Sequence, residues 1–133
     1  MKQIISPKTI TGTIIIPASK SDGQRALLAA ALAKGRSVLF GPGQSDDEMA
    51  MLSAIRELGA KAVENPDGSL TIDGGLNPDS PKTICAGESG LGIRLLTAVC
   101  STFGEEVTID GRGSLTTRPM DFFAEVLPKF GAQ

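Results

Sequence analysis

Gly12-Thr-Ile-Ile-Ile-Pro17-Ala-Ser-Lys-Ser-Asp-Gly-Gln-Arg25 is the stretch on which the fold turns. The β-branched run Gly12 to Ile16 predicts a strand, Pro17 stops it, and Ala26-Leu-Leu-Ala-Ala-Ala-Leu-Ala33 predicts a helix of high intrinsic propensity. Ser19 to Ser21 then fall on the helix's first turn, where unpaired backbone N–H groups and the positive end of the macrodipole favour a phosphate or carboxylate. Lys20 and Arg25 add two cations to that turn. A plain N-cap by Ser19, with Asp22 closing a capping box and Lys20 and Arg25 as solvated surface charges, explains the same residues. The rest of the chain has to separate the two readings.

The chain repeats itself. A shift of 69 residues superimposes Gly23 on Gly92, Arg25 on Arg94, Leu27 on Leu96, Gly35 on Gly104 and Ser45 on Ser114, and a later shift of 72 pairs Gly59-Ala60 with Gly131-Ala132. That period is longer than a solenoid repeat and suits a small αβ unit used twice. In the first unit the helix runs from about Ser19 to Lys34 with Gly35 as C-cap, followed by a strand Ser37 to Phe40. Ser45-Asp-Asp-Glu48 forms a capping box for a second helix with Met51, Leu52, Ile55 and Leu58 on one face and Gly59 as its stop. Lys61 to Glu64 and Ser69 to Ile72, joined by Asn65-Pro-Asp-Gly68, close the unit as a hairpin. The fold class is therefore α/β (α+β), a βαβαββ unit repeated. The second copy offers a strand Thr83 to Cys85, a helix from about Ser89, a strand Glu106 to Ile109 and a helix starting at Pro119. It lacks the closing hairpin, so the expectation is one complete unit and one cut within the repeat. The boundaries are an N-terminal strand segment 1–10, a first unit 11–75 and an incomplete second unit 76–133.

Two further candidate sites lie in the second copy. Gly87-Glu-Ser-Gly-Leu-Gly92 is a glycine-rich turn into a helix, able to present N–H groups to an anion or simply to make a tight turn. Gly111-Arg-Gly-Ser-Leu-Thr-Thr-Arg-Pro119 is a polar loop that delivers Arg118 to the start of the last helix, where a cation opposes the macrodipole unless an anion accompanies it.

Composition narrows the function classes. With 133 residues, net charge −2, no Trp or Tyr and five Phe, the chain has neither a basic face nor a base-stacking platform, so nucleic acid is not an expected partner. No run is long and apolar enough to span a bilayer, and the first residues lack a signal peptide's apolar centre, so a cytoplasmic protein is expected. There is no His, and Cys85 and Cys100 stand alone, so no metal site or Cys-His nucleophile is expected and both thiols read as buried and reduced.

Taken in order, these motifs resemble a known family. Pro17-Ala-Ser-Lys-Ser with Arg25-Ala-Leu-Leu resembles the Pro-Gly-Ser-Lys-Ser…Asn-Arg-Ala-Leu signature of the 5-enolpyruvylshikimate-3-phosphate synthases. Ser45-Asp-Asp47 is similar to that family's Ser-Asp-Asp element, Gly87 to Arg94 to its Gly-Asn-Ala-Gly-Thr-Ala-Met-Arg loop, and Thr117-Arg-Pro119 to its Glu-Arg-Pro. The resemblance implies transfer of the enolpyruvyl group of phosphoenolpyruvate to the 5-hydroxyl of shikimate-3-phosphate with release of phosphate, on the way to chorismate and the aromatic amino acids. It implies a longer, monomeric two-domain protein, each domain three βαβαββ units, with substrates in the cleft between domains and a first strand within Lys2 to Ser6 belonging to the other domain. A C-terminal portion of the same enzyme would then be this chain's missing partner. By the same resemblance Lys20 touches both substrates and takes part in proton transfer, Ser21 and Arg25 bind shikimate-3-phosphate, and Gly90 and Arg118 bind phosphoenolpyruvate. No cofactor or metal is implied.

Asp22-Gly-Gln24 departs from the family's usual spacing residues, Leu91 stands for a Thr, and Glu88 stands where the family has Asn. An acid there disfavours an anionic substrate unless Glu88 turns away or pairs with a cation such as Arg94. Pro128 interrupts the last helix. The sister enzymes that act on UDP-N-acetylglucosamine share the fold but usually carry Lys-Asn after the first strand and a reactive Cys in the Arg-Pro loop, and residues 111 to 119 contain none. RNA-related and purely structural βαβαββ modules remain as alternatives. Convergence of Lys20, Arg25 and Arg118 on one cleft would discriminate against a structural role.

Overall fold

A serine starts each of the three longer helices in the computed structural model, which describes residues 2–79 and 82–132. Ser19 caps α1 (Lys20–Leu32), its hydroxyl accepting from the Asp22 N–H at 3.4 Å. Asp22 does not complete a capping box; its carboxylate accepts from Arg25 at 3.2 Å instead. The helix stops at Ala33, two residues before the expected Gly35, whose φ of +109° then turns the chain into β1 (Arg36–Leu39). Ser45 caps α2 (Asp46–Glu57) with the full box: its hydroxyl accepts from the Glu48 N–H, and Glu48 Oε2 accepts from the Ser45 N–H at 3.2 Å and from its hydroxyl at 2.7 Å. Met51, Leu52, Ile55 and Leu58 are all buried, as their spacing requires.

The hairpin expected through Asn65 to Gly68 forms as β2 (Lys61–Glu64) and β3 (Leu70–Asp73). β3 is the central strand, antiparallel to β2 on one side and to β1 on the other, and Arg36 faces Asp73 across the sheet with Nε to Oδ1 at 2.8 Å. β4 (Lys82–Cys85), α3 (Gly90–Cys100) and β5 (Val107–Asp110) follow, the two strands parallel as a crossover through a helix demands. A 3-10 turn over Gly113–Thr117, the short α4 (Asp121–Val126) and a 3-10 turn over Leu127–Phe130 complete the described chain, and no strand follows β5 among the described residues. One cluster of buried side chains runs from Leu27 and Leu28 of α1 through Ile55 and Leu58 of α2 and Ile72 of β3 to Ile84, Leu96 and Leu115.

Four expectations need correcting. Gly12 to Ile16 form no strand: residues 2–19 have no regular structure, and Ile14, Ile15 and Ile16 are 84%, 97% and 79% exposed. A β-rich run becomes a strand only with a partner edge to satisfy its backbone, and these residues pair with none in this structure. The first unit is therefore observed as αβαββ rather than βαβαββ. Pro119 is not the first helical residue; α4 begins at Asp121 after Met120, and Pro128 ends it by forcing the last turn into 3-10 geometry. Lastly, Arg25 is the sixth residue of α1 and Arg94 the fifth of α3, so the sequence shift places them one position apart and in the second turn, not the first. Gln133, where the second unit is expected to be cut, lies outside the described residues.

Candidate functional site

α1 and α3 bring their N-terminal turns to one open cleft of about 590 Å³. Lys20, Ser21 and Gln24 line it from α1, Asp47 from the first turn of α2, and Gly90, Leu91 and Arg94 from α3, with Glu88, Ser114 and Arg118 from the adjoining loops. At roughly 100° per residue Gln24 falls between Lys20 and Ser21 on one face of α1, whereas Arg25 lies roughly 140° round from Lys20, past Ser21, with its guanidinium drawn to Asp22. Four of the five expected site residues, Lys20, Ser21, Gly90 and Arg118, thus share the cleft. Arg25 does not line it; its guanidinium is held on the exposed side by Asp22.

Lys20 Nζ is 2.8 Å from Asp47 Oδ2, a pair that ties the start of α1 to the start of α2. Across the cleft Arg94 Nη1 donates to the Gly90 carbonyl at 2.5 Å, and Arg118 Nη2 donates to Ser114 Oγ at 3.5 Å. A Cβ on Gly90 would collide with the Arg118 guanidinium and come within 3.1 Å of Arg94 Nη1, so the bare backbone lets both cations close over the first residue of α3. Arg118 is the C-cap of the 3-10 turn and precedes α4 by three residues, which corrects its expected place at the start of the last helix. The dipole argument transfers instead to α3, where two guanidinium groups sit at a positive helix end and favour an anion beside them.

Glu88 stays on the cleft wall and is held by Ser114 rather than by either arginine. Its Oε2 accepts from the Ser114 N–H at 3.1 Å and from the Ser114 hydroxyl at 3.2 Å, over Gly113, whose φ of +50° and missing side chain make the seat. The expected pairing of Glu88 with Arg94 does not form among the described residues; Ser114 takes the carboxylate instead, and Glu88 remains part of the cleft wall. The sequence reading missed Gln24 as a site residue, although it noted the position as unusual: Gln24 is buried and accepts a 2.6 Å hydrogen bond from the Ser89 hydroxyl, 65 residues further on. Cys100 is buried and its burial pushes the thiol up to about 11, while Cys85 is half-buried; neither lines the cleft.

Comparison with known proteins points to one family. A family profile described as EPSP synthase (3-phosphoshikimate 1-carboxyvinyltransferase) matches residues 4–133. Relatives named 3-phosphoshikimate 1-carboxyvinyltransferase from Chlamydia caviae and Methanocorpusculum labreanum are each 40% identical, over 96% and 99% of this chain. The solved EPSP synthase from Acinetobacter baumannii superposes with a TM-score of 0.79 at 32% identity over 92% of this chain. The chain spans 29% and 32% of the two relatives' lengths and 28% of the solved chain.

Proposed function

The chain belongs to the EPSP synthase (3-phosphoshikimate 1-carboxyvinyltransferase) family, and from that premise we propose that its cleft is one wall of a site for phosphoenolpyruvate and shikimate-3-phosphate. The observation that carries the proposal is the meeting of Lys20 and Ser21 with Gly90 and Arg118 around one cavity, from segments 69 to 98 residues apart. Both substrates bear phosphate and carboxylate. Arg118 supplies a fork for a planar carboxylate or phosphate, α3 supplies N–H groups at Gly90, and Lys20 supplies a mobile point charge between the two. Arg25, paired with Asp22 outside the cleft, is not part of this wall.

In the reaction so assigned, the sugar's 5-hydroxyl oxygen bonds to the enolpyruvyl C2 and loses its proton while the methylene carbon gains one. The tetrahedral adduct then expels phosphate and returns a methyl proton, restoring the double bond. Lys20, once released from Asp47, stabilises charge and moves a proton at the C2 oxygens. The second acid or base and the closing wall come, in this reading, from parts of the family fold that this chain does not match, since closure excludes water and completes the proton path. The reading places the reaction in the cytoplasm, in a monomer, with no cofactor. No described helix is long and apolar enough to cross a membrane.

The test is a coupled phosphate-release assay on this chain with both substrates, alone and with the remaining segment of a relative added in trans. Release restored only in trans, and lost with Lys20→Ala, is the expected outcome. Release by the chain alone, above the Lys20→Ala level, would contradict it.

A further inference from the structure

Gln24 is 1% exposed and sits where the two half-sites meet. Its Nε2 donates to the Lys20 carbonyl at 3.1 Å, and its Oε1 accepts from Ser89 Oγ at 2.6 Å. Ser89 is the N-cap of α3 and accepts from the Gly92 N–H at 2.9 Å. One buried amide therefore holds the backbone of Lys20 at one end and the cap of the helix that begins at Gly90 at the other. Gly92 leaves room for it: a Cβ there would stand 3.0 Å from Ser89 Oγ and 3.3 Å from Gln24 Oε1. Among the described residues this is the one side-chain hydrogen bond that joins α1 directly to α3.

We propose that Gln24 is a positioning residue that sets the separation of the two anion-binding helix ends and couples them, so that ordering one end by its anion lowers the cost of ordering the other. The inference rests on reading the cleft as a two-anion site. Its physical basis is burial: an amide cut off from water must keep both partners, so a shift of either helix end is transmitted to the other rather than absorbed by solvent. An anion that fixes Lys20 and Ser21 then fixes Ser89 and Gly90 through the same side chain.

Calorimetry on this chain with phosphoenolpyruvate and shikimate-3-phosphate, singly and together, tests it in the parent, in Gln24→Leu and in Gln24→Glu. Leu keeps the volume and removes both hydrogen bonds; Glu keeps the acceptor for Ser89 and removes the donor to Lys20. In the parent, the first anion should tighten the second, and Gln24→Leu should cut that enhancement by about tenfold while each anion alone loses about twofold at most. Gln24→Glu should retain part of the enhancement. Single-anion affinities that fall together with the thermal midpoint, an enhancement unchanged in Gln24→Leu, or independent binding in the parent would each overturn the proposal. If the parent binds neither anion, the functional reading fails, and amide resonances decide the positioning role. Gln24→Leu should then shift those of Ser21 and Gly90 together, and unchanged resonances would overturn it.

Discussion

The starts of α1 and α3 look alike as sequence and differ in how their charge is balanced. At α1 each cation already has a carboxylate: Lys20 has Asp47 at 2.8 Å and Arg25 has Asp22 at 3.2 Å. At α3, Arg94 and Arg118 make no salt bridge among the described residues and rest on a carbonyl and a hydroxyl, while Glu88 is occupied by Ser114. Two guanidinium groups over a positive helix end are mutually unfavourable until an anion joins them. An anion at α3 thus meets two guanidinium groups that no described carboxylate pairs, whereas one at α1 must displace a carboxylate that is already bound. The second end should bind first and more tightly.

Arg118→Ala should have the largest effect on that contrast. It removes a charge-assisted contact of roughly 1.5 to 3 kcal/mol, so phosphoenolpyruvate affinity measured by calorimetry should fall by more than tenfold with shikimate-3-phosphate affinity nearly unchanged. A loss confined to shikimate-3-phosphate would reverse the assignment of the two ends. Lys20→Ala should cost less, about threefold to tenfold in shikimate-3-phosphate affinity, because Lys20 is largely exposed and must first leave Asp47. Glu88→Gln should tighten phosphoenolpyruvate by about threefold: Gln keeps an acceptor for Ser114 and removes a negative charge from the cleft wall. Weaker binding would mean that the charge itself positions the loop.

The smallest effect lies away from the cleft. The hydrogen bond from Arg36 and, after it, the guanidinium charge hold the Asp73 carboxyl below its ordinary value, against a desolvation contribution that raises it. A carboxyl lowered in the folded state stabilises the fold above its unfolded value and loses that contribution as pH falls through the folded one. Asp73→Asn should therefore flatten the acid limb of a pH-dependent thermal-unfolding series while leaving phosphoenolpyruvate affinity at neutral pH unchanged.

Local chemistry made much of the fold legible. The Ser45–Glu48 box, the apolar face of α2 and the Asn65–Gly68 turn each carry their signal within a few residues, and all three formed. Gly12 to Ile16 did not, because a strand's stability lies in an edge that its own sequence does not contain. The Pro119 start failed for a related reason: proline permits a first helical position without requiring one. Within the candidate site, Lys20, Ser21 and Gly90 were legible because a glycine-rich turn and a cation at a helix start point to anions, whereas Arg118 lines the cleft without standing at the helix start expected of it. Gln24 was not legible, since its meaning depends on Ser89, a partner that no sequence period singles out. Arg25 shows the converse, a residue within the motif whose helical position turns it to the outer side.

A ¹H–¹⁵N titration of this chain with phosphoenolpyruvate, followed residue by residue, reads the order in which the two helix ends respond. Saturable shifts should begin at Gly90, Leu91, Gly92 and the Arg118 side chain, with Lys20 and Ser21 following at smaller amplitude. Shifts that begin at Lys20 and Ser21, or an unchanged spectrum at α3, would contradict that order.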